Sequence, residues 1–567
     1  MLALSGEYIA EYYKYDGSLY VESYKAYLSP DGNLTEKYEY VVKGDYRYLY
    51  RTWNAPLLYN ENFSNPFIKI LKIEGPCIRY VKDYYGVVYA SDYVSTIKSE
   101  AYINEVGCFC PDGYERGKYE ITYEYVIYPP VEYDNKFYHI NIKLADKHVP
   151  YRNVEIHIDN SSGSIAKVYL HPPMNIVEKG SEYVFLGSSQ RNGLIEVEML
   201  LYNATPKFAR YVDDIEEKTV SANDAYYAKY SAASWLAKMM KAIVFLFPGI
   251  IAVIYYFKGR EKKFVVPKYL SFIPKKRRPW LVNLVFKKDA LDFDMDGFYA
   301  TLLDMHRRGI IEIESEGKDV KIRFGKYDLN ELDEYEKKVI LFLKKYSSEG
   351  VFSTEKMKEK IKMHKGDLQS LTKIKEDFKD ILDVKGGDHF ITNGRKLMAK
   401  FFIASLLAFI LIAILFMISA GIYPPLFDAL IFSFILPIQF LVTIAAPSTL
   451  FGKWKKEYYK EKMEWDAFKR FLLNFAHLEK YATEDISIWK EWLVYATALG
   501  AGKKVARQLK KLNINIPEAD ALPSIYIAFA TTQHTLSSTY AASGGGGGGG
   551  GGFGGGGGFG GGGAGGR

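Results

Sequence analysis

At 567 residues, 48% hydrophobic and 25% charged, the chain is too long for one ordinary domain and has the composition of folded domains joined to a membrane part. Its formal net charge of +7 is small for this length, so composition gives no general reason to expect nucleic acid as a partner. The three cysteines, Cys77, Cys108 and Cys110, are too few for a disulfide framework; one bridge from Cys77 to either member of the Cys-x-Cys pair suits an oxidising exterior, and three thiols without a neighbouring histidine make a weak metal site.

Only residues 1–5 are apolar before Gly6 opens the first region, a scrap that resembles the end of a signal peptide, so the true start is expected upstream. Residues 1–205 are rich in Tyr, Val and Ile in short alternating runs such as 117–127, punctuated by the turn pairs Asp31-Gly32 and Asp112-Gly113, which is the pattern of antiparallel β structure. Strands are expected over 137–144, 153–158, 165–170 and 193–201, in one or two β-sandwiches with a junction at 129–135 around Pro129-Pro130. The tyrosines suit either a carbohydrate- or polymer-binding face or half-buried strands, and the packing reading is favoured. His139, His148, His157 and His171 fall on different expected strands and define no metal site. Glycosylation triplets begin at Asn33, Asn62, Asn160 and Asn203, all within this region, which suits an exported domain.

A linker over 206–241 leads to a first transmembrane helix over 242–257, which contains Pro248-Gly249 and is extended by Trp235 and Leu236, with Lys238 and Lys241 placed to snorkel. In the cytoplasmic stretch 258–400, helical spacing over 296–308, the stop at Gly309, alternation over 310–315, a turn at 316–319 and a strand over 320–324 make the ending of a winged helix. Helices near 332–345, 354–363 and 367–382 and a strand at 389–391 suggest a second such unit; the fold serves both DNA binding and protein interaction. Two patterns imitate ligand sites. Asp292-Phe-Asp294-Met-Asp296-Gly297 opens like a calcium loop but has Leu303 where the bidentate Glu belongs, so Asp296 is read as a helix cap. Gly500-Ala-Gly502-Lys503-Lys504 imitates a phosphate loop but has Ala496 for the first glycine and Lys504 for the metal-binding hydroxyl, so it is read as a helix boundary. The basic run Lys275 to Arg278 suits acidic lipid headgroups, with nucleic acid as the alternative.

Residues 401–420 and 426–446 are uncharged but for Asp428 and are read as a transmembrane hairpin about Pro424-Pro425. Lys and Arg crowd the stretch after the first helix and both outer flanks of the hairpin, through Arg395, Lys396, Lys400, Lys453, Lys455 and Lys456, while the hairpin turn has none. Basic residues gather on the cytoplasmic side. The expected topology has the amino-terminal region outside and residues 258–400 and the carboxy terminus in the cytoplasm. A helical region over 447–512 precedes a low-complexity, Gly-rich tail over 513–567 that is expected to be disordered because glycine cannot bury enough surface. The fold class is thus a multidomain membrane protein: an extracytoplasmic all-β sandwich region, three transmembrane α-helices, cytoplasmic α+β winged-helix-like modules and a helical carboxy-terminal region.

The segment Trp465-Asp-Ala-Phe468, the run from Trp489 through Trp492 to Gly500, and the glycine tail from Gly544 resemble the YciQ-like predicted membrane proteins of bacteria and archaea, a domain family of unknown function. The resemblance covers the whole layout. It departs in the missing signal peptide and in Trp492, where the family more often has Tyr. It carries no activity over, and no HExxH, GxSxG or complete Walker pattern appears, so no catalytic, cofactor-binding or metal residue is assigned and no cofactor is expected. The expected function is a non-enzymatic envelope scaffold or signalling protein whose partners are the lipid bilayer and proteins on one or both sides. The alternatives are a membrane-tethered winged-helix DNA-binding regulator and a surface hydrolase with an unrecognised site.

Overall fold

Strict alternation of side chains in the first two hundred residues builds sheets with one buried face. In Asn33–Val42, Leu34, Glu36, Tyr38, Tyr40 and Val42 point inward while their neighbours stay accessible. The computed structural model describes residues 4, 15–59, 63–316, 319–419, 422–480, 485–541 and 562–567. It divides into a first unit of Met1–Phe247, Phe402–Gln439 and Phe553–Arg567 and a second of Pro248–Phe401 and Phe440–Gly552.

In the first unit an eight-stranded sheet runs in the order Asn175–Lys179, Glu182–Ser189, Tyr151–Asp159, Leu19–Leu28, Asn33–Val42, Gly117–Tyr128, Phe67–Glu74 and Leu57–Leu58. Tyr151–Asp159 pairs parallel with Leu19–Leu28, so the chain beyond Pro130 returns into the first sheet and 129–135 is no boundary between two sandwiches. The turn signals are real but they only route the chain into a second sheet of five strands, Ile165–His171, Ile195–Leu201, Tyr138–Ala145, Pro130–Tyr133 and Phe208–Tyr211. A third sheet orders Ala564–Gly566, Tyr46–Thr52, Glu105–Tyr114, Ile78–Lys82 and Val88–Ala90. Tyrosine fills the core: Tyr24, Tyr38, Tyr40, Tyr123, Tyr125 and Tyr151 are at most 1% exposed, with rings packed tilted or edge-on to one another, as in Tyr24–Tyr38 and Tyr38–Tyr151, beside a fully buried Arg51–Glu36 ion pair of 3.1 Å. Arg51 is satisfied there by the Leu144 carbonyl at 2.6 Å and lies 3.5 Å from the Trp53 ring centroid. Cys77 and Cys110 form the disulfide and Cys108 is a buried free thiol.

Among the described residues three helices are long and apolar enough to cross a membrane: Ile215–Gly259, Gly394–Ile418 and Pro425–Ile444. The first is helical from Ile215 onward, so most of the stretch expected to be a linker over 206–241 is continuous with the apolar segment. Residues such as Ala222, Ala225 and Ala228 favour helix there and no glycine interrupts it before Gly249.

In the second unit Met295–Arg307 leads into the hairpin Ile311–Glu316 and Asp319–Phe324, which Val351–Ser353 and Ser347–Ser348 extend to four strands. Helices Glu334–Lys345, Thr354–Met363 and Leu368–Leu382 pack around it. Met295–Arg307 buries every residue from Gly297 to Met305. Helix Ile486–Ala498 buries Trp489, Trp492, Leu493 and Ala496, and Trp492 stands edge-on to Phe471 at 5.3 Å, so the tryptophan motif is packing. The stretch 513–567 differs from the expected disordered tail. Pro517–Ala541 is a helix whose Leu522, Ile525, Phe529 and Thr532 are fully buried, and Ala564–Gly566 is a strand. An apolar stripe at spacings of three and four decides the helix, which an average over the glycines hides. Residues 542–561, with Phe553 and Phe559, lie outside the described residues.

Candidate functional site

Each unit fastens its soluble part to a membrane helix through a buried polar cluster. In the first unit His171 ends a strand directly opposite Glu196, and Glu198 follows on the same neighbouring strand. His171 Nδ1 lies 2.9 Å from Glu196 Oε1, and its Nε2 lies 2.7 Å from Asn223 Oδ1 on the Ile215–Ile254 helix. Asn223 Nδ2 donates to Glu198 Oε2 at 2.8 Å and to the Thr219 carbonyl at 2.9 Å. Glu198 Oε1 reaches His139 Nε2 at 2.7 Å, and His139 Nδ1 faces Glu132, which also takes the Arg210 guanidinium. The chain of contacts thus runs from the second sheet into the helix. Further ties are Lys167 to Glu216 at 2.9 Å and the Ile215 amide to Asp134 at 3.1 Å. The Tyr226 ring covers His171 at 4.5 Å and Tyr423 at 5.4 Å. Nearby, Pro172, Met174, Ser188, Tyr230, Pro424 and Asp428 help line a cavity of about 300 Å³.

The electrostatics follow from burial and pairing. Burial opposes a charged His139, but its hydrogen bond to Glu198 and the charges of Glu198 and Glu132 hold its pKa above the ordinary 6.5. His171 behaves alike: burial opposes its charge and the bond to Glu196 prevails. Burial would raise Glu196, yet His171 holds it below the usual 4.5. Glu132 is lowered by the Arg210 hydrogen bond, with burial working against it. The other two outer histidines are engaged elsewhere. His157 sits between Glu155 and Glu182, while His148, buried against the Val149 and Gly193 carbonyls, is pushed down to about 4 by burial. Among the described residues no group of three His, Cys, Asp or Glu could hold a metal ion.

In the second unit the corresponding cluster is built on the loop from Lys287 to Asp296. Asp289, 8% exposed, takes the Ser448 amide and hydroxyl at 2.7 Å each, and Arg395 Nη2 at 3.0 Å. Arg395 stands in the first turn of the Gly394–Ile418 helix and also reaches Asp292 at 3.0 Å. Along the same loop the Lys287 ammonium sits between Asp294 and Asp296, and the Tyr526 hydroxyl donates to Asp296. Gly500, at φ +77°, closes over this pair: a Cβ there would stand 2.8 Å from Lys287 Cε. The calcium-like and phosphate-like patterns therefore meet, and Lys287 supplies the cation that two carboxylates require. Burial would raise Asp294, but Lys287 and Asn283 hold it below 3.8. Asp294, two residues before the expected Asp296, is the helix cap and accepts from the Asp296 amide. In the basic run, Arg277 is bound to Glu461 and Arg278 to Glu336 and Asp333, leaving Lys275 and Lys276 exposed.

The sequence marks His139, His171 and the Asp292–Gly297 run, and Arg395 only as a basic flank of the hairpin, but it does not mark Asn223, Glu196, Glu198, Asp289 or Ser448. Their partners lie up to 159 residues apart, so no local spacing marks them. Residues 21–201 match the family described as Predicted membrane protein (DUF2207) N-terminal domain, and residues 266–509 match its C-terminal domain. The chain belongs to this family of predicted membrane proteins. The sheet residues of the first cluster, His139, His171, Glu196 and Glu198, lie inside the first matched region and Asp289, Arg395 and Ser448 inside the second, whereas Asn223 and the other residues of its helix, Arg210 and Tyr526 lie outside both. No curated protein matches. Among solved structures, the M1 zinc metallopeptidase from Deinococcus radiodurans aligns at 10% identity with a TM-score of 0.20, covering 33% of this chain and 43% of that one. A point mutant of that enzyme aligns at 9% identity and 0.19 over the same shares. The aligned part spans less than half of those chains, and a likeness at this level says nothing of fold or activity.

Proposed function

We propose that this DUF2207 member is a non-enzymatic membrane recognition and relay protein, with its β unit outside the cell and residues 258–400 in the cytoplasm. The observation that carries the reading is the His171–Asn223–Glu198–His139 cluster, which couples a sheet of the β unit to a helix that continues into an apolar span. A partner that shifts the sheet must move the helix or break that network, because buried polar groups are costly to leave unpaired. The exterior placement is supported by the Cys77–Cys110 bridge, by the glycosylation triplets, and by the basic residues that flank the spans. Against the DNA-binding reading stands the burial of Met295–Arg307, the helix before the wing-like hairpin, whose Arg307 and Arg308 are turned onto Asp304 and Glu336. A helix in that state presents no face to a major groove.

The test is crosslinking in cells followed by purification of the solubilised protein, with proteins and DNA recovered from one sample. Reproducible envelope or cytoplasmic protein partners without enriched DNA are expected. Enrichment of specific DNA fragments, sensitive to salt, would overturn the reading in favour of a tethered regulator.

A further inference from the structure

In the second unit three chain segments that border the apolar helices are joined backbone to backbone. Gly259, the last residue of the first apolar helix, lies so close to the loop 446–452 that a Cβ there would overlap the Leu450 carbonyl oxygen, and one on Gly452 would overlap the oxygen of Thr392. Only glycine allows either approach. Around these contacts Ile391–Thr392 pairs with Lys453–Trp454, the Gly394 amide donates to the Ser448 carbonyl at 2.7 Å, and Arg395 Nε donates to the Ala446 carbonyl at 3.1 Å. Glu261 accepts the Trp454 amide at 2.8 Å and completes the joint. The end of the Ile215–Gly259 helix, the start of Gly394–Ile418 and the residues that follow Pro425–Ile444 are therefore held as one piece.

The joint gathers a rim of cations. Lys258, Lys262 and Lys263 come from the first segment, Lys400 from the second, and Lys453 and Lys456 from the third, and all are exposed. None of them forms an ion pair among the described residues. The neighbouring carboxylates serve the joint instead: Glu261 holds Trp454, and Asp388 binds Lys396 at 2.6 Å while its carbonyl accepts from Lys455 at 2.7 Å. Beside the lysines the rings of Tyr255, Tyr256 and Phe257 are exposed, and Arg260 lies 5.4 Å from the Tyr256 ring centroid. Aromatic rings at the end of an apolar helix settle at the boundary between hydrocarbon and headgroups, and lysines there extend outward to the level of the lipid phosphates. Like charges held together repel unless anions lie among them. At this depth the anions at hand are phosphates.

We propose that this rim is a binding site for the headgroups of anionic phospholipids in the surrounding bilayer. Charge and place both select that ligand: a zwitterionic headgroup carries an ammonium that the lysines repel, and the exposed tyrosines set the rim at the bilayer surface. The site depends on the joint, because no single segment carries more than three of its unpaired lysines. It is distinct from the run Lys275 to Arg278 that the sequence suggests for lipid, where Arg277 and Arg278 are already held by Glu461 and Glu336. The inference goes beyond the relay reading, uses no part of the β unit, and holds for either orientation of the chain in the bilayer.

The test uses the full-length protein in neutral detergent, titrated with equal amounts of phosphatidylglycerol and phosphatidylcholine of the same acyl chains and read by native mass spectrometry. Preferential retention of phosphatidylglycerol is expected, with a preference that shrinks as salt is raised. Gln in place of Lys258, Lys262 and Lys263 should reduce the preference by about fivefold or more. Gln in place of Lys453 and Lys456, on the other side of the joint, should reduce it likewise. Gln in place of Lys356, Lys360 and Lys362, which removes three charges from the Thr354–Met363 helix, should leave it unchanged. All of these side chains are exposed, so the substitutions leave the core alone. A preference that survives both sets of rim substitutions, or that the control substitutions reduce equally, overturns the site. Binding of a labelled DNA duplex through the rim lysines, without selection between the two lipids, also overturns it and assigns these lysines to nucleic acid. Any of these failures leaves the relay reading standing, because the crosslinking experiment tests that reading through its protein partners.

Discussion

The two fastenings hold a soluble part to a membrane helix by different chemistry. In the first unit the helix is held through histidines, whose charge changes near neutral pH, paired with glutamates; in the second it is held through Arg395, Asp289 and Ser448, with Lys287 neutralising Asp294 and Asp296 beside them. Asp294 is held below 3.8 and keeps its charge well into acid. The contrast teaches that a change of pH near neutrality acts on the first attachment through its histidines, which the second does not use. The sign follows from the shifts. His139 and His171 are raised in the fold, so their contribution is complete below 6.5 and is lost as pH rises through their folded values. Glu196 and Glu132 are lowered, so theirs is present above 4.5 and is lost as pH falls through their folded values. The first fastening is therefore tightest between about 4.5 and 6.5 and loosens on the alkaline side.

The strongest way to break the comparison is Asn223→Leu, which strips His171 and Glu198 of their shared partner. Thermal unfolding of the solubilised protein should register a loss of about 3 kcal/mol, and the pH dependence above 6.5 should flatten. An unchanged melting profile would mean that the network does not hold the helix. Next is acidification itself, which also titrates His148. This residue is neutral in the fold down to about 4 but titrates near 6.5 when unfolded, so the unfolded chain binds the proton first and stability falls as pH drops. Between pH 7 and pH 4 that loss is about 3 kcal/mol at most, and His148→Gln should remove it; equal acid sensitivity in the two proteins would refute the assignment. In the second unit Arg395→Met leaves Asp289 buried without its charge partner. Because Arg395 is about a third exposed, we expect a loss of about 2 kcal/mol by the same melting assay. The smallest effect serves as the control: Tyr123 is fully buried and its hydroxyl has no hydrogen-bond partner among the described residues, so Tyr123→Phe should change stability by no more than about 1 kcal/mol.

The membrane helices were legible because hydropathy over twenty residues is a one-dimensional signal, and the Thr354–Met363 helix because its apolar residues repeat at helical spacing. The junction at 129–135 was misread for the opposite reason: the parallel pairing of Val21 with Tyr151 spans 130 residues and leaves no local trace. The tail failed on averaging, since Leu522, Ile525 and Phe529 carry a helix that the neighbouring glycines dilute. Both clusters were invisible because a hydrogen-bond network is assembled from single residues on several elements, each ordinary in its own window. The histidines were noticed one at a time, and only the pairing of the strands places His171 across from Glu196.

The parallel pairing of Leu19–Leu28 with Tyr151–Asp159 also sets an order of events during synthesis. A chain made from its amino end keeps one edge of its first strand open for 130 residues, until Tyr151 arrives opposite Val21. An unpaired strand edge is a template for pairing with another chain, so the eight-stranded sheet is most exposed to misassembly in the interval before that strand is made.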